Sequence, residues 1–214
     1  MRPRLLLADD HTLLLEGIRL LLKPEFDLVG SVEDGQALLA AAKVLKPDII
    51  LLDISMPHLN GIDAARRLRK ILPSAKLIFL TMHAGADYVN EAFRAGAMGY
   101  ILKRAAASEL LTAIHTVLMG NHYVSPLVTQ NALKLLISSS KPGGKFSDRL
   151  TPRQREVLQL VAEGRSRKEI AGILNISVKT VEFHKGKLMR ELNLQTVADF
   201  TRYAIEHGII TAER

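Results

Sequence analysis

Asp9, Asp10, Asp53, Thr81 and Lys103 share one property of position: each closes a short apolar run. Three carboxylates gathered at one end of a sheet would repel each other, and their pKa values rise unless a cation joins them. Oxygen donors of this kind suit Mg²⁺, which keeps several waters and bridges to phosphate. A lysine adds a compact positive charge for a phosphoryl oxygen, and a threonine hydroxyl can hold the same group. The set therefore describes a phosphoryl-accepting site with Asp53 as nucleophile. Helix or turn capping explains any one of these acids, but not five such residues at four strand ends together.

The runs themselves must be strands for this to work. Ile49 to Leu52 is continuous, apolar and rich in β-branched residues, as expected of a strand buried on both faces, and Pro57 turns the chain soon after Asp53. The same reading places strands over residues 4–8, 26–31, 76–81 and 99–103. Helices are expected over 11–22, 35–45, 61–72, 86–95 and 107–119. Five alternations of strand and helix predict a flavodoxin-like, doubly wound parallel sheet of order 2-1-3-4-5. In that order strands 1 and 3 are neighbours at the switch point, where such sheets hold ligands.

The 214 residues suffice for two small domains, and the charge is divided between them unevenly. Residues 1–120 carry 14 Lys+Arg and 13 Asp+Glu, whereas residues 121–214 carry 15 and 9. The basic excess lies in the C-terminal part, which points to an anionic partner there. The chain has no cysteine, which excludes disulfides and thiolate metal sites. No apolar run approaches 18 residues and no leader is evident, so a cytoplasmic protein with no membrane partner is expected. A free-standing hydrolase fits poorly: position 55 is serine rather than a second acid, and neither a nucleophile elbow nor a complete phosphate loop is present.

Residues 1–120 resemble the receiver domain of two-component response regulators. The likeness rests on Ala8-Asp9-Asp10-His11, Leu52-Asp53-Ile-Ser-Met-Pro57, Leu80-Thr81-Met82-His83 and Gly99-Tyr100-Ile-Leu-Lys103. It implies that Asp53 takes phosphate from a histidine kinase. It further implies Mg²⁺ on Asp10, Asp53 and the Ser55 carbonyl, with Asp9 acting through water. Thr81 and Tyr100 would be a switch pair, Tyr100 turning inward after phosphorylation, and Ser55 and His83 would tune dephosphorylation. Many receivers follow the lysine with proline; here Arg104 follows, so a trans bond and an altered loop are expected.

Residues 121–147 read as a helix over 125–137 and a flexible, breaker-rich linker over 138–145. Residues 148–214 read as a separate four-helix, all-α domain. Thr151-Pro-Arg-Gln154 and Ser166-Arg-Lys-Glu169 are capping boxes, and Asn175 tolerates the left-handed turn between two short helices. Such a pair is a helix-turn-helix. In its second helix, from Val178, Val181, Leu188 and Leu192 share one side. Lys179, Thr180, Glu182, Phe183, Lys187 and Arg190 are the candidates for DNA contact. Leu150-Thr-Pro-Arg-Gln-Arg-Glu-Val-Leu158 and Ile176-Ser-Val-Lys-Thr-Val-Glu-Phe-His184 resemble the LuxR-type helix-turn-helix, and a receiver joined to it resembles the NarL/FixJ class. The resemblance implies a phosphorylation-controlled, DNA-binding transcription regulator, not an enzyme beyond its own phosphoryl transfer and dephosphorylation, that dimerises when active through a helix over 196–206. The alternative is a regulator that binds DNA without phosphorylation, its receiver serving as a dimerisation or ligand-sensing platform.

Overall fold

The computed structural model describes residues 2–130 and 150–210. In chain order the first part is β1 (Arg4–Ala8), α1 (Thr12–Leu22), β2 (Asp27–Val32), α2 (Gly35–Leu45), β3 (Ile49–Leu52) and α3 (Gly61–Ile71). Then follow β4 (Lys76–Thr81), α4 (Ala86–Arg94), β5 (Ala97–Leu102), a 3₁₀ turn (Lys103–Ala105), α5 (Ala106–Leu118) and β6 (Tyr123–Val124). All neighbouring strands are parallel and the order is β2-β1-β3-β4-β5-β6.

Strand alternation divides the core into two layers. Leu6, Ile50, Leu52 and Phe79 face one side and pack with Leu38 of α2, Leu68 of α3 and Ala92 of α4. Leu5, Leu7, Leu51, Leu80 and Ile101 face the other and pack with Ile18 of α1 and Leu110 and Ile114 of α5. Each fully buried Leu or Ile contributes about 1.5–3 kcal/mol. The paired layers therefore fix where every strand ends, and with it the position of each strand-end side chain.

The sheet has one strand more than the sequence predicts. Tyr123 and Val124 pair with Gly99 and Tyr100 of β5, and the Ser125 N–H donates to the Tyr100 carbonyl at 2.8 Å. Two residues are too few for alternation to register as a strand. The peptide bond after Lys103 is trans, and the chain enters the 3₁₀ turn directly. Residues 126–130 are helical, as expected for the start of the 125–137 helix; the rest of that helix and the 138–145 linker lie outside the described residues.

The C-terminal part is α6 (Pro152–Ala162), α7 (Arg167–Leu174), α8 (Val178–Glu191) and α9 (Val197–Glu206). Both expected capping boxes form, and Thr196 with Asp199 makes a third at the start of α9. Asn175 closes α7 with φ 52°, and Ser177 caps α8 by accepting from the Thr180 N–H. Val157, Leu158, Leu160, Ile170, Val181, Leu188 and Phe200 form this part's own core. Among the described residues no helix is long and apolar enough to cross a membrane.

Candidate functional site

The strand ends converge as their sequence positions require. β1 pairs with β3, so Asp9 and Asp53 leave adjacent strands side by side. The Asp53 N–H donates to the Ala8 carbonyl at 2.9 Å, which holds the two strand ends together. Lys103 reaches in from the end of β5. Its Nζ lies 2.8 Å from Asp53 Oδ2 and 2.8 Å from Asp9 Oδ2, bridging the two carboxylates. Asp9, Asp53 and Lys103 are nearly inaccessible to solvent, with side-chain exposures of 4, 4 and 6%. Asp53 Oδ1 also accepts from the Ile54 N–H at 2.6 Å. Gly61 is required behind it, since a side chain there would strike the Asp53 carbonyl.

Burial, and then the charge of Asp53, push the Asp9 carboxyl above its ordinary value of 3.8 against the pull of Lys103. Burial alone would lower Lys103, but the two carboxylates outweigh it and the ammonium is held above 10.5. The pocket is thus a cluster of negative charge neutralised in part by one lysine. Ligand atoms of Asp9, Asp10, Asp53 and His11 all lie within 4.8 Å of one another. The oxygen-rich set fits a hard divalent cation such as Mg²⁺. His11 was absent from the sequence-based site; its Nδ1 lies 3.0 Å from both Asp9 and Asp10, and its place directly after the acid pair was the available signal.

Thr81 ends β4 beside β3 and is fully buried, its Oγ1 accepting from the His83 N–H at 3.3 Å. Ser55, two residues past Asp53, and His83, two residues past Thr81, meet: Ser55 Oγ and His83 Nε2 are 2.9 Å apart. Burial holds His83 below its ordinary value of 6.5 despite the nearby Asp53 charge. Tyr100 is fully buried, its hydroxyl donating to the His83 carbonyl at 2.8 Å. That carbonyl satisfies the phenol inside the core.

The loop from Asp53 to α3 then meets the C-terminal domain. Arg155, Gln159 and Glu163 recur every four residues along and just past α6, hence on one face. Gln159 Nε2 donates to the Met56 carbonyl at 2.8 Å, and its Oε1 accepts from the Asn60 N–H at 2.9 Å. Arg155 pairs with buried Asp63 at 2.8 Å, and Glu163 accepts from the His58 N–H at 3.2 Å. His58 holds φ 63°, a conformation rare for a residue with a side chain, within this grip. On the other side of the same contact the Tyr88 ring fills the space where a side chain at Gly208 would stand, and Tyr88 stacks on His83 at 4.2 Å. None of these docking residues was named from the sequence. Polar side chains on a helix read as a solvated face, and nothing local marks them as buried.

The outer face of α8 is open. Phe183 is 64% exposed, and Lys179, Glu182 and Arg190 are exposed around it, while Val181 and Leu188 are buried. Lys187 is half-buried and lies 3.6 Å from Glu191. Glu182 is tied to Arg167 at 2.7 Å, and the Thr180 hydroxyl is engaged by Ser177 at 2.8 Å. The two sequence-predicted sets thus occupy different domains, one in a buried pocket and one on an open helix.

Comparison with known proteins decides the class. A family model described as response regulator receiver domain matches residues 5–115, and one described as bacterial regulatory proteins, luxR family, matches residues 148–204. The chain belongs to the two-component response regulators. This regulator is 38% identical over 210 residues to the transcriptional regulatory protein MctR of Rhizobium johnstonii, covering 97% of this chain and 95% of the relative. It is 31% identical to the oxygen regulatory protein NreC of Staphylococcus carnosus, covering 97% and 99%. Among solved structures it resembles RcsB of Salmonella typhimurium, with a TM-score of 0.66 at 28% identity over 96% of this chain and 98% of that one. A structure of RcsB from Salmonella enterica serovar Typhimurium, bound to the promoter P1flhDC in the presence of phosphomimetic BeF₃⁻, gives a TM-score of 0.60 at 28% identity, covering 95% and 98%. The regulator therefore joins a receiver to a LuxR-type DNA-binding domain and acts in transcription rather than as a conventional enzyme.

Proposed function

We propose that this regulator accepts phosphate on Asp53 from a histidine kinase and thereby changes its dimerisation and its hold on double-stranded DNA. The observation that carries the reading is Lys103 Nζ at 2.8 Å from both Asp53 and Asp9 at neighbouring strand ends. One Asp53 oxygen attacks the phosphorus, an O–P bond forms, and the kinase imidazole leaves with its electron pair. Lys103 is placed to shift from the carboxylate to a phosphoryl oxygen, with the Thr81 hydroxyl on the adjoining strand. Asp9, Asp10 and Asp53, with the Ser55 carbonyl, would hold Mg²⁺, which when bound neutralises carboxylate and phosphoryl charge together. Ser55 and His83, hydrogen-bonded at the pocket rim, set the lifetime of the phosphoryl group by governing approach of water.

The route outward runs through the backbone. Met56 is three residues past Asp53, and its carbonyl is held by Gln159 of α6. A loop rearranged around −1.5 to −2 added charges, roughly, changes what Gln159 can hold. The open outer face of α8 presents Lys179, Lys187 and Arg190 to phosphates and Phe183 to base edges. Glu182 reads bases only after leaving Arg167. Val197 and Ile205, eight residues apart on α9 and both exposed, supply an apolar stripe for a homodimer.

We assign residues 1–120 to the receiver, 121–147 to a connecting segment and 148–214 to DNA binding, in a cytoplasmic protein. The test is Mg²⁺-dependent labelling with acetyl phosphate, read beside operator affinity. Labelling that is lost in Asp53→Ala together with the affinity change supports this reading. DNA binding that ignores both treatments favours a phosphorylation-independent regulator.

A further inference from the structure

Docking of α6 against α3 leaves a cleft of about 810 Å³ between the two domains, walled by α3, the end of α4 and the first turn of α6. Its charge is one-sided. Arg66, Arg67, Arg69, Lys70, Arg94 and Arg153 line it, against the carboxylates of Asp63 and Glu156. The neighbouring carboxylates are already shared. Asp63 holds Arg66 at 2.7 Å and Arg155 at 2.8 Å; Glu156 holds Arg67 as well as Arg153 at 2.8 Å. Glu91, just outside, holds Arg66 and Arg94. Among the described residues no carboxylate pairs with Arg69 or Lys70, and Arg69 Nη1 donates to the Pro73 carbonyl at 2.9 Å. Gly96, with φ 98°, leaves room for the Arg69 side chain to lie along the cleft wall. Burial, and then the charge of Arg67, hold the Arg153 guanidinium below its ordinary value.

Guanidinium groups in this density match phosphate oxygens, which they grip with paired N–H donors. The volume falls in the range of small-ligand pockets, about 300–1,000 Å³. A concave space walled by two domains suits a compact anion better than a rod-like duplex. We infer that this cleft binds an oligophosphate anion, either free or as the phosphate chain of a nucleotide, and that the anion bridges α3 and α6. The bound anion holds the two domains in the docked arrangement.

The test is calorimetric titration of the full chain without Mg²⁺, carrying Asp53→Asn so that the strand-end pocket contributes nothing, using sodium tripolyphosphate, ATP and GTP as separate probes. One saturable site is expected. Equal affinities identify the free anion as sufficient, and tighter nucleotides identify a base contact; both outcomes support the site. Arg69→Gln with Lys70→Gln should weaken binding at least tenfold. The pair is exposed and unpaired with carboxylates, and unchanged melting would verify its fold. The charge-matched pair Arg2→Gln with Lys23→Gln, outside the cleft, should leave affinity within twofold. Arg155→Ala, which loosens docking, should weaken the probes as well. Equal loss from both charge pairs, unsaturable binding, or indifference to Arg155→Ala overturns the inference. So does a result in which only short duplex DNA binds and the cleft pair lowers its affinity, which would make the cleft a DNA contact.

Discussion

The strand-end pocket and the outer face of α8 carry comparable charged chemistry under opposite conditions. In the pocket, Asp9, Asp53 and Lys103 are nearly fully buried, with each carboxylate 2.8 Å from the lysine ammonium. On α8, Lys179, Phe183 and Arg190 stand in solvent on a helix fixed by its caps and its buried side. In the first region the backbone leaves each group a single arrangement and burial magnifies every charge. In the second the helix sets only the spacing, and long side chains complete the fit against a partner. One region should therefore respond to substitution almost all-or-none, and the other in increments.

The sharpest test of that contrast is Asp53→Asn. An amide is no nucleophile here, so acyl-phosphate formation should fall to background on phosphate-affinity gels, and Asp10→Ala should do the same by removing a metal ligand. Normal labelling in either would erase the distinction between the regions. Next in size is the contact that joins them. Arg155→Ala strips one guanidinium from buried Asp63, where breaking a buried pair costs about 3–5 kcal/mol unless the domains separate first. Separation should relieve it, visible as a larger radius of gyration in small-angle scattering. Gln159→Ala leaves two loop groups unpaired at about 1–3 kcal/mol and should act the same way more weakly. Unchanged dimensions in both variants would mean that docking rests elsewhere.

The α8 face should show the incremental behaviour. Lys187→Ala is expected to weaken all duplexes alike and reduce the salt slope by roughly one unit. Phe183→Ala should instead shift base preference by about 1–3 kcal/mol at the position it covers, with the slope intact. Salt titrations on specific and scrambled duplexes distinguish the two. The smallest effect concerns pH. Burial depresses the His83 pKa in the folded state, so the unfolded chain takes up the proton first as pH falls through 6.5. Stability from this group is complete above that value and declines below it. Urea midpoints between pH 7.5 and 5.5 should therefore fall less in His83→Phe than in the parent.

How much of this could be read in the sequence follows the same division. Asp53 was legible because an apolar run, a carboxylate and a proline within four residues leave few alternatives to a buried strand and a turn. The α7–α8 pair was legible because capping boxes act over three residues. β6 was not, since two residues hold no period. The hydrogen bond of the buried Tyr100 was not legible either, since its acceptor is a carbonyl seventeen positions away. Gln159 was invisible for the same reason: its partners, Met56 and Asn60, lie about a hundred residues earlier, and only the assembled domains bring them within reach.

The hold of α6 on the loop beyond Asp53 has a consequence for the direction of information. Coupling free energy is reciprocal: if phosphorylation changes operator affinity as proposed, the operator changes the phosphorylation equilibrium by the same factor. A duplex that draws α8 into its groove and releases Gln159 from Met56 alters the same loop from the far end. The operator is then an input to the receiver as well as its output. On that proposal, two promoters that differ in their preference for the phosphorylated form would shift its phosphorylation equilibrium to different extents.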